Sequence, residues 1–115
     1  RELIETTILN YLQVELNTTK VYLETPANAD DCVVFQIVDR SRENLIDAVT
    51  VRLWSYGKTK VDAAALDNLV RKAMYEITDL TDISSSTLGG GGDTFDASLK
   101  LYRYQCYFNI VYMEE

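Results

Sequence analysis

Residues 101–112, LYRYQCYFNIVY, alternate so strictly that they constrain the fold more than any other stretch of the chain. Tyr102, Tyr104, Cys106, Phe108, Ile110 and Tyr112 fall on one side, and Arg103, Gln105, Tyr107 and Asn109 on the other. A period of two over such a length specifies a β-strand with one buried and one more open face. The even-numbered face is therefore expected to lie in a core beneath other elements, and the odd-numbered face to be available to a neighbour. A strand of this kind needs both a sheet to pair with and a second layer to cover it.

The covering layer comes from two helical patterns. In ELIETTILNYLQVEL, Ile4, Ile8, Leu12 and Leu16 form one stripe, with Leu3 and Tyr11 beside it and Glu2 and Glu5 in the first turn, where they suit the helix dipole. TKVDAAALDNLVRKAMYEITDL, 59–80, places Leu66, Leu69, Val70, Ala73, Met74, Ile77 and Leu80 on one face. Thr59 is its expected N-cap, with Asp62 completing a capping-box pattern, and the alanines at 63–65 suggest close packing against another backbone.

Between and after these helices lie the remaining strands. KVYLET is short and is stopped by Pro26, the only proline. DCVVFQIVDR, 31–40, is apolar on both faces from Cys32 to Val38, the pattern of a central strand. SRENLI, 41–46, reads as a turn or loop. DAVTVRLWSYG, 47–57, turns Val49, Val51 and Leu53 one way and Thr50, Arg52, Trp54 and Tyr56 the other. DISSSTL, 82–88, reads as a short edge strand followed by a flexible glycine-rich loop at about 88–98. The expected architecture over residues 1–115 is one α+β domain. It is a two-layer sandwich of two helices on a mainly antiparallel sheet, in the order α-β-β-β-α-β-β.

Several function classes are disfavoured at this stage. The formal net charge is −7 in 115 residues, which opposes a phosphate-tracking surface. There is no histidine, hence no imidazole base or metal ligand. The four glycines at 89–92 precede DTFDASLK and a strand rather than a helix N-terminus, so they do not form a phosphate cradle. The acid pairs Asp30–Asp31, Asp93–Asp96 and Glu114–Glu115 lack the spacing of a calcium loop or a glycosidase pair, and the serines at 84–86 have no base beside them. No enzyme, cofactor or metal site is expected. Cys32 and Cys106 sit in apolar runs and read as buried thiols, with a disulfide open only if their strands are neighbours in an oxidising compartment. No apolar stretch reaches the length of a membrane span and no basic-then-apolar leader opens the chain, so cytoplasmic synthesis is expected.

The tyrosine and arginine content of the open strand faces points elsewhere. Arg103, Gln105 and Tyr107 on the last strand and Arg52, Trp54 and Tyr56 on the third share the composition of an interface core, against the plainer reading of half-exposed sheet faces.

The stretch SRENLIDAVTVRLWSYGKTKVDAAALDNLVRKAM, followed later by KLYRYQCYFNIVY, resembles a family of small structural proteins of long-tailed bacteriophages, the tail terminator or tail completion proteins. The resemblance rests on Ser55–Tyr56 at a strand end, the link Lys58–Thr59 and the alanine-rich helix from Ala63 to Leu66 with Asn68. It rests also on the loop Ser41 to Ile46 and on Tyr102–Arg103–Tyr104–Gln105. It departs from the family pattern in TLGGGGDTFDAS, which is richer in glycine. The resemblance implies a ring, generally of six copies, at the head-proximal end of the virion tail, assembled in the host cytoplasm. Its partners would be further copies of itself, the tail tube protein and the head connector or stopper, with genomic DNA passing through without specific binding. A ring needs two different matching faces on each subunit. The candidates are the sheet face with Trp54 and Tyr107, and the loop with Arg40, Arg42 and Glu43. A head-completion stopper or adaptor, or a small regulatory or ligand-binding dimer, are the competing expectations.

Overall fold

A computed structural model describes residues 3–17, 20–24, 31–43, 46–80, 83–96 and 101–113. Helix α1 (Ile4–Glu15) is followed by strands β1 (Val21–Tyr22), β2 (Cys32–Glu43) and β3 (Ile46–Gly57). Helix α2 (Lys60–Tyr75) continues as a 3₁₀ turn (Glu76–Asp79), and the chain ends in β4 (Ile83–Asp96) and β5 (Leu101–Met113). The five strands lie in the order β1-β2-β3-β5-β4. β1 runs parallel to β2, and every other pair is antiparallel. The expected α+β sandwich and its element order are what the structure has. The longest dimension is 44 Å, close to the ~40 Å that a strand of twelve residues spans at about 3.3 Å per residue.

Both helices lie on one face of the sheet. Thr59 caps α2 through its Oγ1, which accepts from the Asp62 N–H at 3.1 Å. Asn17, at φ 52°, turns the chain out of α1. Ile4, Ile8 and Leu12 of α1 and Val70, Ala73 and Met74 of α2 join one cluster with Val33, Phe35, Val49, Val51, Leu53, Cys106, Phe108 and Ile110 from the sheet. The Tyr11 hydroxyl donates to the Ala73 carbonyl at 2.6 Å and ties the helices together. Burial, followed by the charges of Glu15, Glu76 and Asp79, pushes that phenol up to about 12.

Three expectations about the strands change. The strands reach further into 41–46 than expected, because β2 extends to Glu43 and β3 begins at Ile46, with Glu43 opposite Ile46, while residues 44 and 45 lie outside the described residues. The stretch at about 88–98 is not a loop over its described part, since β4 runs through all four glycines to Asp96 against β5. A one-residue shift in register between Leu88 and Gly90 and φ 151° at Gly90 mark a bulge there, which is where glycine's backbone freedom is used. Residues 97–100, and the loop expected around Pro26, lie outside the described residues. Finally, the even face of β5 is not uniformly core. Cys106, Phe108 and Ile110 are buried, but Tyr102 is exposed and Tyr104 and Tyr112 are half-buried, because they lie toward the ends of the strand.

The expected face of α2 and the turn after it does meet the core through Leu66, Val70, Ala73, Met74, Ile77 and Leu80, but Leu69 is exposed and Asp67 is buried. Asp67 receives the Arg71 Nε–H at 2.8 Å, one helical turn on. The Arg71 guanidinium lies over Gly91 of β4, where a Cβ would come within 2.5 Å of its Nη2 and 2.6 Å of the Gln105 carbonyl. One glycine of the run thus makes room for a charged side chain between helix and sheet. Burial raises the Asp67 carboxyl above its usual range, and the opposing pull of Arg71 only partly offsets this. The folded chain therefore binds that proton more tightly than the unfolded chain does, and this group's contribution to stability falls as pH rises above about 3.8. Asp67→Asn keeps an oxygen for Arg71. It is expected to hold stability at neutral pH within about 1 kcal/mol and to flatten that fall in thermal melts taken from about pH 4 to about pH 8. A loss of ~3 kcal/mol or more would mean that the ion pair outweighs its own desolvation.

Both cysteines are buried thiols. Cys106 lies in the helix-side core, while Cys32 belongs to a second cluster with Val34, Tyr56 and Leu101. The sheet itself separates the two thiols. Burial, followed by the nearby Asp67 charge, pushes Cys106 up to about 12, as suits an unreactive thiol.

Candidate interaction surface

The face of the sheet turned away from the helices carries the unusual chemistry. Antiparallel pairing sets Arg52 opposite Tyr107, Trp54 opposite Gln105 and Tyr56 opposite Arg103. Two separate sequence patterns, one on β3 and one on β5, thereby become one ladder. Their alternation required each strand to show these residues on one side, and the register brings the two sides together.

Within the ladder the guanidinium of Arg52 lies 5.0 Å from the Tyr107 ring centre and 5.3 Å from that of Trp54. Arg103 also approaches the Trp54 ring, at 6.0 Å, and its Nη1 donates to the Tyr56 hydroxyl at 3.4 Å. Two cations thus share one indole. Contacts of this kind contribute about 0.5–1 kcal/mol each when exposed and more when desolvated. They hold flat, rigid groups in place on the surface, which lowers the entropy lost when a partner covers them. Arg52, Trp54, Arg103, Gln105 and Tyr107 are all half-buried. The buried Nε of Arg52 has no hydrogen-bond partner among the described residues. Next to the ladder, Thr50 donates from Oγ1 to the Asn109 side chain at 2.9 Å.

Six of the nine candidate residues therefore share this face, in one of two roles. Tyr56 is only 1% exposed and packs with Cys32, Val34 and Leu101, so it supports the surface from beneath rather than meeting a partner. Arg52, Trp54, Arg103, Gln105 and Tyr107 form the accessible part. The other three candidates lie near the tip of the β2–β3 hairpin. A register shift between Ile37 and Asp39 inserts an extra residue and turns Arg40 to the helix side. There Arg40 pairs with Glu5 of α1 at 2.7 Å. Arg42 faces Asp47 across the hairpin at 3.9 Å, and Glu43 is exposed opposite Ile46. The hairpin tip is thus a separate place with charges of both signs. Sequence patterning missed Gly90 and Gly92, which the register sets beside Tyr107 and Gln105 on the open face. Among the described residues there is no cluster of side chains suited to hold a metal ion, and no helix is long and apolar enough to cross a membrane.

A small mixed sheet with both helices on one face and an arginine–aromatic ladder on the other defines the class of protein at hand. No protein-family model and no curated protein sequence matches the chain. Among solved structures, a chain from the virion of a native gene transfer agent particle is similar over 90% of this chain and 84% of its own length. The TM-score is 0.59 and the identity 14%. At that identity the likeness shows a shared fold.

Proposed function

We propose that this chain is a phage-type virion structural protein that acts as a ring, of six copies, capping the tail tube and joining tail to head. The observation that carries the reading is a fold shared over nearly all of the chain with a component of a gene transfer agent virion. The resemblance of its sequence motifs to tail terminator proteins points the same way. The open face supplies what assembly needs, a rigid patch of arginine and aromatic rings of the composition that dominates binding energy in protein interfaces. It would meet a neighbouring copy or the tail tube protein, with the hairpin tip at Arg40, Arg42 and Glu43 forming a second contact and the head connector on the far side. The net charge of −7 suits a channel through which duplex DNA slides without adhering.

The test is a phage lysate in which this gene carries a stop codon at Tyr22, viewed by electron microscopy and complemented in trans. Filled heads beside headless or overlong tails are expected, with rescue by the native gene and at least roughly tenfold weaker rescue by Arg103→Ala or Tyr107→Ala. Both variants should still fold, since neither side chain belongs to the helix-side core. Normal tails beside heads that have lost their DNA would assign the stopper role instead. Intact virions without the gene would overturn the assembly reading and revive that of a regulatory dimer.

A further inference from the structure

The two edges of the sheet are built differently. On one side β1 covers β2 only at Val33 and Val34. Beyond that point β2 carries Asp39, Arg40, Arg42 and Glu43, together with the irregularity after Ile37. Charges and bulges of this kind are how proteins keep an open edge from pairing with other chains. On the other side β4 is fourteen residues long, and among the described residues no strand pairs with its outer edge. Residues 83–92, ISSSTLGGGG, contain neither a charge nor a proline, and their protection is limited to two register irregularities, at Ile83/Ser85 and at Leu88/Gly90. A long uncharged edge is a template whose alternate N–H and C=O groups point outward, and only another extended chain satisfies them in order.

We propose that the outer edge of β4, residues 83–92, receives an added strand from a second copy of this chain. The inference rests on the proposed assembly role only in that copies are held side by side. The net charge of −7 on each copy works against self-association, and this uncharged segment is a place where two copies can approach without adding opposed acids. Position favours the contact. Gly90 and Gly92 lie beside Tyr107 and Gln105, and a Cβ at either glycine would meet nothing within 4 Å. Side chains of an incoming strand can therefore lean across the bare backbone toward the Tyr107 ring, which joins the edge to the arginine–aromatic face as one continuous surface. The glycine run then has three uses: Gly91 admits Arg71, Gly90 forms the bulge, and Gly90 and Gly92 leave the open face clear.

Light scattering on the purified chain over a range of concentrations tests this, with Ser84→Lys/Thr87→Lys as the discriminating variant. Both side chains are exposed in the single chain, so the lysines should leave its circular dichroism and melting unchanged. The native chain is expected to associate, and the variant to need roughly tenfold or more higher concentration for half-association. A native chain that stays monomeric up to about 1 mM overturns the proposal. Association that the lysines leave unmoved also overturns it. If Arg103→Ala/Tyr107→Ala abolishes association in that case, copies meet through the open face alone and the assembly role stands.

Discussion

Phe108→Ala is expected to destabilise the chain by about 3–5 kcal/mol. The ring is completely buried at the centre of the sheet, between Val51 on β3 and Leu88 on β4. Tyr75, at the end of α2, meets it edge-on with ring centres 5.2 Å apart and planes at 80°. Truncation removes the transfer energy of the ring and leaves a cavity between three strands and a helix, none of which can close in without breaking its own pairing. Set against a total stability of ~5–15 kcal/mol, the loss is a large share. Thermal unfolding should shift down by roughly 12–20 °C at about 4 °C per kcal/mol. A shift of only a few degrees would mean that the helix layer collapses onto the gap and that the core is less rigid than its burial implies.

Gly57→Ala should be the second large loss, and its sign is the informative part. A glycine in a strand normally costs about 0.5–1 kcal/mol relative to alanine, so on propensity the change should stabilise. Here the helix begins immediately after the strand and folds back over it. A Cβ on Gly57 would stand 2.5 Å from the Ala63 amide nitrogen and 3.0 Å from its Cα, both backbone atoms that no rotamer change can move. Relieving that overlap means shifting the first turn of α2, including its Thr59 cap, at a cost of about 2–3 kcal/mol. Denaturant melts of the purified variant measure it. Equal or greater stability would show that the start of α2 is free to move away from β3.

Much of this could be read in the order of residues. The period of two at 47–57 and 101–112 and the helical spacing at 4–16 and 59–80 each imply one local structure, because side-chain direction follows backbone geometry over a few residues. The Thr59 cap and the close approach at Ala63 were legible for the same reason. Residues 88–96 form a strand rather than the expected loop because the backbone entropy a glycine run loses on ordering is offset by pairing along β5. The placement of Leu69 outward and Asp67 inward reversed the hydrophobic ordering, since the void over Gly91 is filled by Arg71, whose charge needs a partner beside it. The pairing of Arg40 with Glu5 is not legible in the sequence, because it depends on the extra residue near Val38 that turns Arg40 to the helix side.

The candidate surface divides in the same way. The order of residues is enough to put Arg52 and Trp54 on one side of one strand and Arg103, Gln105 and Tyr107 on one side of another, because alternation is a property of each strand alone. Composition adds the absence of histidine and the acidic balance. The pairing of β3 with β5, in a register that brings two guanidinium groups to Trp54 and buries Tyr56 beneath them, came from the three-dimensional packing. The same packing also decided that β4 ends the sheet with an uncharged edge. Register and strand order depend on pairings between residues dozens of positions apart, and the energy that selects them comes from the packed helix-side core rather than from any local preference.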